Sequence, residues 1–276
     1  MKKEFSWKKQ IYHLLKNPFY LANLLGHEQT FLFRVFENYL PKFILFFKTM
    51  RRILFKGKNK ICPCCGGNFK KFIPVGTQFR LSAQCPGCSS LERHRLMLLY
   101  LKTKTDFFKS KLKVLYFAPN KILLSIFKNL SNIECITADL SSPLAMIKTD
   151  ITDLIFEDKS FDVILCSHVL EHVINDTLAM REIFRVLKPN GWAIIQSPID
   201  YSLKKTVEGT KEMAANERRK LFGEQNHFRI YGIDYKDKLE RAGFKVQVDN
   251  FVGDLNKKFI DLFGLDKREK IYICFR

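Results

Sequence analysis

From residue 113 onward, short apolar runs rich in branched side chains alternate with amphipathic stretches, and this alternation restricts the fold more than any other feature of the chain. Residues 113–118 read as a strand entering Pro119 and Asn120, and a helical pattern follows through Leu130. Residues 133–138 form the next strand, which stops at Asp139; 161–166 and 192–197 are later strands, with a helix from about 175 to 187 between them. A helix between two strands carries the chain back across the sheet, so the pattern predicts an α/β fold with a parallel sheet and right-handed crossovers. Ligands of such sheets sit at the carboxyl ends of the strands, which places a candidate site there before any motif is considered.

Five of the eight cysteines are clustered ahead of this region, at Cys62, Cys64, Cys65, Cys85 and Cys88. Cys62 and Cys65 form one C-x2-C pair, Cys85 and Cys88 a second, and a 19-residue spacer separates them. Two tight knuckles turning at Pro and Gly present paired thiolates that together complete a tetrahedron around zinc. Four thiolates leave no position for water, so the expected site is structural. Cys64 is the surplus thiol and competes with its neighbours for the metal, whereas Cys135, Cys166 and Cys274 are dispersed and read as buried or incidental. Ser89, with Glu92 three residues on, predicts a capping box and a helix over about 90–102. The first turn of that helix presents Arg93, His94 and Arg95, either as a solvated basic face or as contacts to an acidic ligand.

Residues 1–60 are rich in Phe and in basic residues, with helical rather than alternating periodicity. The stretch 42–56 interleaves Phe43, Phe46, Phe47, Ile53 and Leu54 with Lys42, Lys48, Arg51 and Arg52, but no window reaches the roughly 18 uncharged apolar residues of a spanning helix. Two readings stand: a basic amphipathic helix on an anionic membrane surface, or helices packed against the rest of the protein with solvated lysines. Residues 1–16 are charged throughout, no secretory signal is evident, and the expectation is a reducing cytoplasm, with peripheral contact to the inner face of the membrane as an option. A formal net charge of +19, from 47 Lys and Arg against 28 Asp and Glu, favours phosphate-bearing partners such as RNA, anionic lipid or nucleotide-activated substrates. The expected organisation is a helical segment over 1–60, a four-cysteine zinc module with a linking helix over 61–103, and the α/β domain over 104–276.

Asp139 lies 21 residues after Ala118 at the end of the second strand, where a carboxylate can accept both ribose hydroxyls of a nucleoside. Three strings follow in order. The first is Asp150-Ile151-Thr152-Asp153-Leu154-Ile155-Phe156-Glu157-Asp158-Lys159-Ser160-Phe161-Asp162, the second His168-Val169-Leu170-Glu171-His172, the third Leu187-Lys188-Pro189-Asn190-Gly191. Over residues 111–276 they resemble the class I S-adenosylmethionine-dependent methyltransferases of the type 11 group. The chain is also similar to a bacterial subset with a four-cysteine zinc segment in front and a downstream segment matching Phe222-Gly223-Glu224-Gln225-Asn226-His227-Phe228-Arg229-Ile230-Tyr231-Gly232.

The resemblance implies a Rossmann-like, seven-stranded sheet with helices on both faces and S-adenosylmethionine as cofactor. It places Phe117, Ala118, Pro119 and Asn120 at the methionine part, Asp139 at the ribose, Asp150 and Ile151 at the adenine, and Ser167 and His168 on the sulfonium side. Two departures stand out: Ala118-Pro119-Asn120 replaces a Gly-rich loop, and Tyr116 occupies a position where many relatives carry an acid. Missing glycines there would weaken cofactor binding or mark a non-catalytic homologue. His168-x-x-Glu171-His172 also matches an inverted zinc-peptidase motif, but it directly follows a sheet strand and lacks an evident distal glutamate ligand. Methyl transfer to an alcohol or amine needs a base, for which His168, His172 and His227 are candidates, with Glu171 orienting a histidine or contacting substrate. The polar segment 206–231 is expected over the ligand crevice, with Arg229 holding an anionic acceptor. The expected acceptor is a sugar, a glycan precursor or another anionic small molecule, with RNA as the alternative.

Overall fold

The computed structural model describes residues 46, 49–75 and 80–276. Most of the segment expected to be helical, 1–45, lies outside the described residues; residues 49–54 are helical. Two small antiparallel hairpins come first: β1 (Lys56–Ile61) with β2 (Asn68–Phe69), and β3 (Ile73–Val75) with β4 (Arg80–Gln84). They carry the cysteine knuckles and lead into α1 (Glu92–Lys104). This helix starts two residues later than the sequence suggests, because Ser89 is left-handed (φ 63°) inside the second knuckle and cannot serve as its cap. Instead the Leu91 backbone N–H donates to Nδ1 of His94 at 3.1 Å.

The alternating region then unrolls as expected: β5 (Leu112–Phe117), α2 (Lys121–Lys128), β6 (Ile133–Asp139), β7 (Ile147–Lys148), β8 (Phe161–Ser167), α3 (Asp176–Val186) and β9 (Leu187–Gln196). Asn120 and Asn175 cap α2 and α3 through their side chains, which fixes both starts. Between β8 and α3 lies a single 3-10 turn, Leu170–His172. Beyond β9 come β10 (Val207–Glu208), α4 (Ala215–Phe222) and β11 (Arg229–Ile230), then α5 (Tyr235–Arg241), β12 (Lys245–Asp249), α6 (Lys257–Phe263) and β13 (Ile271–Phe275).

Seven strands form one sheet in the order β12-β13-β9-β8-β5-β6-β7. β5 to β9 are mutually parallel, whereas β13 is antiparallel to both β9 and β12. The order reverses beside β5, since β6 lies on one side of it and β8 on the other, and this switch point opens a crevice at the carboxyl edge.

The period-two alternation of strands sorts the core into two layers. Leu115, Phe117, Ile164, Cys166 and Ile195 face α3 and α5, with Met180, Ile183 and Leu239 packed on them. Val114, Tyr116, Val163, Leu165 and Ile194 face the other way, onto a layer that holds Leu96, Leu98 and Leu101 of α1 and also Cys62, Phe69, Phe72 and Cys85. The cysteine hairpins and the sheet therefore share one apolar layer, with α1 as the joining element. Arg95 reinforces the joint. Fully buried, it donates to the carbonyls of Ala83 and Ser90 on one side and of Phe263 and Gly264 on the other. Its place in the first turn suggested a ligand contact, but all the described hydrogen bonds of its guanidinium go to the backbone.

Candidate active site

Two residues at the switch point take a backbone conformation that L-amino acids avoid. Ala118, directly after β5, has φ 45°, and His168, directly after β8, has φ 58°. The turn for which glycine was expected is thus made by alanine. The His168 N–H donates to the Gln196 carbonyl at 2.8 Å, and the Ala118 N–H to the Ala138 carbonyl at 3.1 Å, so neighbouring strands hold both strained turns in place. Tyr116 fills the place of the expected acid. Its buried hydroxyl accepts the Asn120 N–H at 2.9 Å, closing the loop 117–120 from inside.

Ala118, Tyr116, Ser167 and His168 line a small cavity of about 100 Å³, and Arg93, His94, Met97 and Leu123 complete it. Two layers thus meet over the crevice: strand ends from below and the first turn of α1 from above. Burial, with the charge of Arg93 beside it, pulls the His94 imidazole down to about 3, so this ring is neutral. At the carboxyl end of β6, Asp139 accepts the backbone N–H groups of Ser141 and Ser142 through Oδ1. Asp150, at the next strand end, accepts from the N–H and hydroxyl of Thr152, with Ile151 buried behind it.

A larger cavity of about 720 Å³ adjoins the first. Its walls come from the 170–172 turn, the 197–202 loop, the α4–β11 segment, the 266–270 loop and, across from these, Arg80, Glu92, Arg93 and Leu96. The expected position of segment 206–231 is observed in part: Phe222, Gly223, Glu224, His227, Arg229 and Ile230 line this cavity. The 266–270 wall was not foreseen. It reaches the site because β13 runs antiparallel, which puts its amino-terminal end at the carboxyl edge of the parallel strands. No local motif marks that loop.

The histidines and Glu171 gather at one end of the large cavity. Glu171 is 1% exposed, and its Oε2 accepts the Ser197 hydroxyl at 3.1 Å. His168 Nδ1 lies 3.3 Å from Glu171 Oε1. The His172 and His227 rings meet edge to face with centroids 4.7 Å apart. Burial lowers the His168 imidazole below its ordinary range despite the carboxylate, so the pair is best described as neutral His168 beside ionised Glu171. Burial likewise lowers His227.

Arg229 is not the anion clamp that the sequence suggested. Only 2% exposed, its guanidinium donates to the carbonyls of Leu170, Val173 and Ile174 and lies 3.4 Å from Asp176. These bonds lock the turn that carries Glu171 and His172, which makes Arg229 a positioning residue. Arg93 is the arginine that lines both cavities.

The cysteine cluster lies on the other face of α1. Sγ atoms of Cys62 and Cys88 are 3.6 Å apart and those of Cys65 and Cys85 3.8 Å apart, and all four can serve one metal ion. A tetrahedron with metal–sulfur bonds of about 2.3 Å has edges of about 3.8 Å, so these separations fit. Cys64 is buried outside the four.

Residues 123–195 match the family described as "Methyltransferase domain". Among solved structures, the chain is similar to an S-adenosylmethionine-dependent methyltransferase from Archaeoglobus fulgidus, with 16% identity over 66% of this chain and 93% of that one and a TM-score of 0.43. A second, from Mesorhizobium loti, is 14% identical over 60% of this chain and 92% of the other, with a TM-score of 0.43. A third, phosphoethanolamine N-methyltransferase 2 of Haemonchus contortus, is 13% identical over 67% and 53%, with a TM-score of 0.44. The residues matched to the methyltransferase domain, 123–195, run from α2 into β9 and so include the ends of β6 and β8 at the switch point of the seven-stranded sheet.

Proposed function

We propose that the chain methylates a sugar, a glycan precursor or another anionic small molecule held in the 720 Å³ cavity. One observation carries this reading: His168 and Arg93 line both the small crevice at the strand ends and the large cavity, so the two compartments meet at a histidine and an arginine. Methyl transfer requires the acceptor atom in line with the methyl carbon and, for a hydroxyl or an amine, an acceptor for its proton. S-adenosylmethionine, when bound at the strand ends beside Ala118, Ser167 and His168, would supply the methyl group, its sulfur keeping the electrons of the broken bond. The displaced proton passes to His168, which Glu171 orients through Nδ1. On the cavity wall Arg80 pairs with Glu92 and Arg268 with Asp266, and Arg93 and Lys270 are the cations that an anionic acceptor would meet. The four-cysteine cluster fits a structural zinc, held by Cys62, Cys65, Cys85 and Cys88, that fixes the knuckles from which α1 starts.

The test is incubation with methyl-labelled cofactor and a cell extract fractionated into glycan, lipid, RNA and protein. Label is expected in the glycan or small-molecule fraction. The net charge of +19 favours RNA as the second reading, and label confined to RNA would replace the first. His168→Ala is expected to lose turnover while calorimetry still detects S-adenosylhomocysteine. No cofactor binding by the intact chain would leave a non-catalytic homologue.

A further inference from the structure

Beyond the cysteine cluster, one group of side chains in the large cavity has the composition and packing of a second metal centre. Glu171, His172 and His227 each offer one ligand atom, and these atoms all lie within 4.8 Å of one another. Glu171 supplies the sharpest observation. Its carboxylate is buried, Oε2 accepts the Ser197 hydroxyl, and Oε1 has no well-formed hydrogen bond among the described residues, its neighbour being His168 Nδ1 at 3.3 Å. A buried carboxylate oxygen left in that state needs a cation or a donor.

The His172 imidazole is already oriented as a ligand. His172 Nδ1 is 3.1 Å from the Asn226 carbonyl, so it is the protonated nitrogen and Nε2 keeps its lone pair. The His227 ring packs edge to face on that of His172, with centroids 4.7 Å apart. An imidazole whose far N–H is fixed by a backbone carbonyl is the usual support around a metal-bound histidine. The backbone is fastened to match. The Phe228 N–H donates to the Glu171 carbonyl at 2.8 Å, and Arg229 holds the carbonyls of Leu170, Val173 and Ile174. Two segments far apart in sequence, 170–174 and 226–229, are thereby held together with their three ligands on the cavity side.

We propose that Glu171, His172 and His227 bind a divalent first-row transition ion whose remaining coordination positions open into the 720 Å³ cavity. Two imidazoles and one carboxylate suit manganese, iron, cobalt or zinc rather than magnesium or calcium, which prefer oxygen alone. The bonds required, about 2.0 to 2.2 Å, need only a small convergence of the three side chains. Resting on the reading of this cavity as the acceptor site, the ion defines the acceptor class further: a molecule whose hydroxyl oxygen, with a second oxygen beside it, can enter the open positions. Metal binding makes such a hydroxyl more acidic, and His168, which is not among the three ligands, stays available to receive its proton.

Manganese is the probe of choice, because it favours nitrogen and oxygen ligands over thiolates and so does not report on the cysteine cluster. The full-length protein is treated with EDTA, dialysed against manganese chloride and freed of unbound ion. One manganese per chain is expected, with nitrogen coupling from imidazole in pulsed paramagnetic resonance. His227→Ala and Glu171→Gln are each expected to weaken uptake at least tenfold. Uptake equal to the intact protein in both variants, or bound manganese without nitrogen coupling in the intact protein, overturns the site. The second measurement does not depend on the variants folding. Calorimetry with S-adenosylhomocysteine on the same samples separates the two readings: cofactor binding without manganese uptake refutes the metal centre alone, and uptake without cofactor binding refutes the methyltransferase reading alone.

Discussion

Ala118 and His168 show how a single residue can satisfy a requirement in an unfamiliar way. The Gly-poor loop 118–120 raised the expectation of weakened cofactor binding, yet Ala118 holds the left-handed turn at φ 45°. Alanine there costs roughly 1 to 2 kcal/mol relative to an allowed conformation. Ala118→Gly is therefore expected to bind S-adenosylhomocysteine at least as tightly as the native protein, and Ala118→Val to lose binding, since a branched Cβ at that φ is strained and projects toward the crevice. Calorimetry reads both, and tight binding by the valine variant would contradict this account. Glu269, on the unforeseen wall, invites a pH test. Burial, with Asp266 beside it, pushes its carboxyl up to about 7. In the unfolded chain a glutamate ionises near pH 4.3, at about its ordinary value, so Glu269 weakens the fold progressively as pH rises from there to about 7. Below that window it is protonated in both states and contributes nothing. Glu269→Gln is expected to melt above the native protein at pH 8, with the gap closing toward pH 4; equal melting temperatures at pH 8 would refute the raised value. Individual residues were legible only where spacing fixes their chemistry. The C-x2-C pairs announced Cys62, Cys65, Cys85 and Cys88, whereas Arg229 was recognised as belonging to the site and misjudged in role, because nothing local shows which carbonyls a guanidinium will meet.

At the scale of elements, strand and helix alternation was legible because period-two and 3.6-residue patterns are written in side chains that face the core. The four strands read from the sequence all form, within a few residues of their expected bounds. The missed features are those decided by tertiary contact: the late start of α1 and the antiparallel return of β13 to the cavity. α1 itself yields a prediction. Its first turn supplies Arg93 and His94 to the crevice while its amino-terminal approach, Cys85 to Leu91, is one of the knuckles. Removing metal from the cysteine cluster should loosen that turn and weaken S-adenosylhomocysteine binding about tenfold, or about 1.4 kcal/mol. Cys64→Ser should change neither metal content nor affinity. Affinity unaltered after complete metal removal would mean that Arg95 and the shared apolar layer hold α1 unaided.

For the whole molecule, charge and exposed apolar surface point in one direction. Phe46, Ile53 and Leu54 are exposed, as is Arg52, whereas Arg51 donates to the Pro86 carbonyl and the Ser89 hydroxyl of the second knuckle; no helix among the described residues is long and apolar enough to cross a membrane. We propose that the segment 1–60 contacts anionic membranes peripherally. Intact protein is expected to sediment with phosphatidylserine-containing vesicles at low salt and to be released at about 0.5 M salt, where screening shortens the reach of charge to a few ångströms. Failure to sediment at low salt would remove the proposal. The cavity has one further consequence. Its floor belongs to the sheet, but Arg80, Glu92, Arg93 and Leu96 opposite belong to the cysteine hairpins and α1. Under the proposed function, changes at Arg80, Glu92 or Leu96, which line the large cavity and not the small crevice, would alter acceptor choice alone, whereas a change at Arg93 would be felt in both compartments.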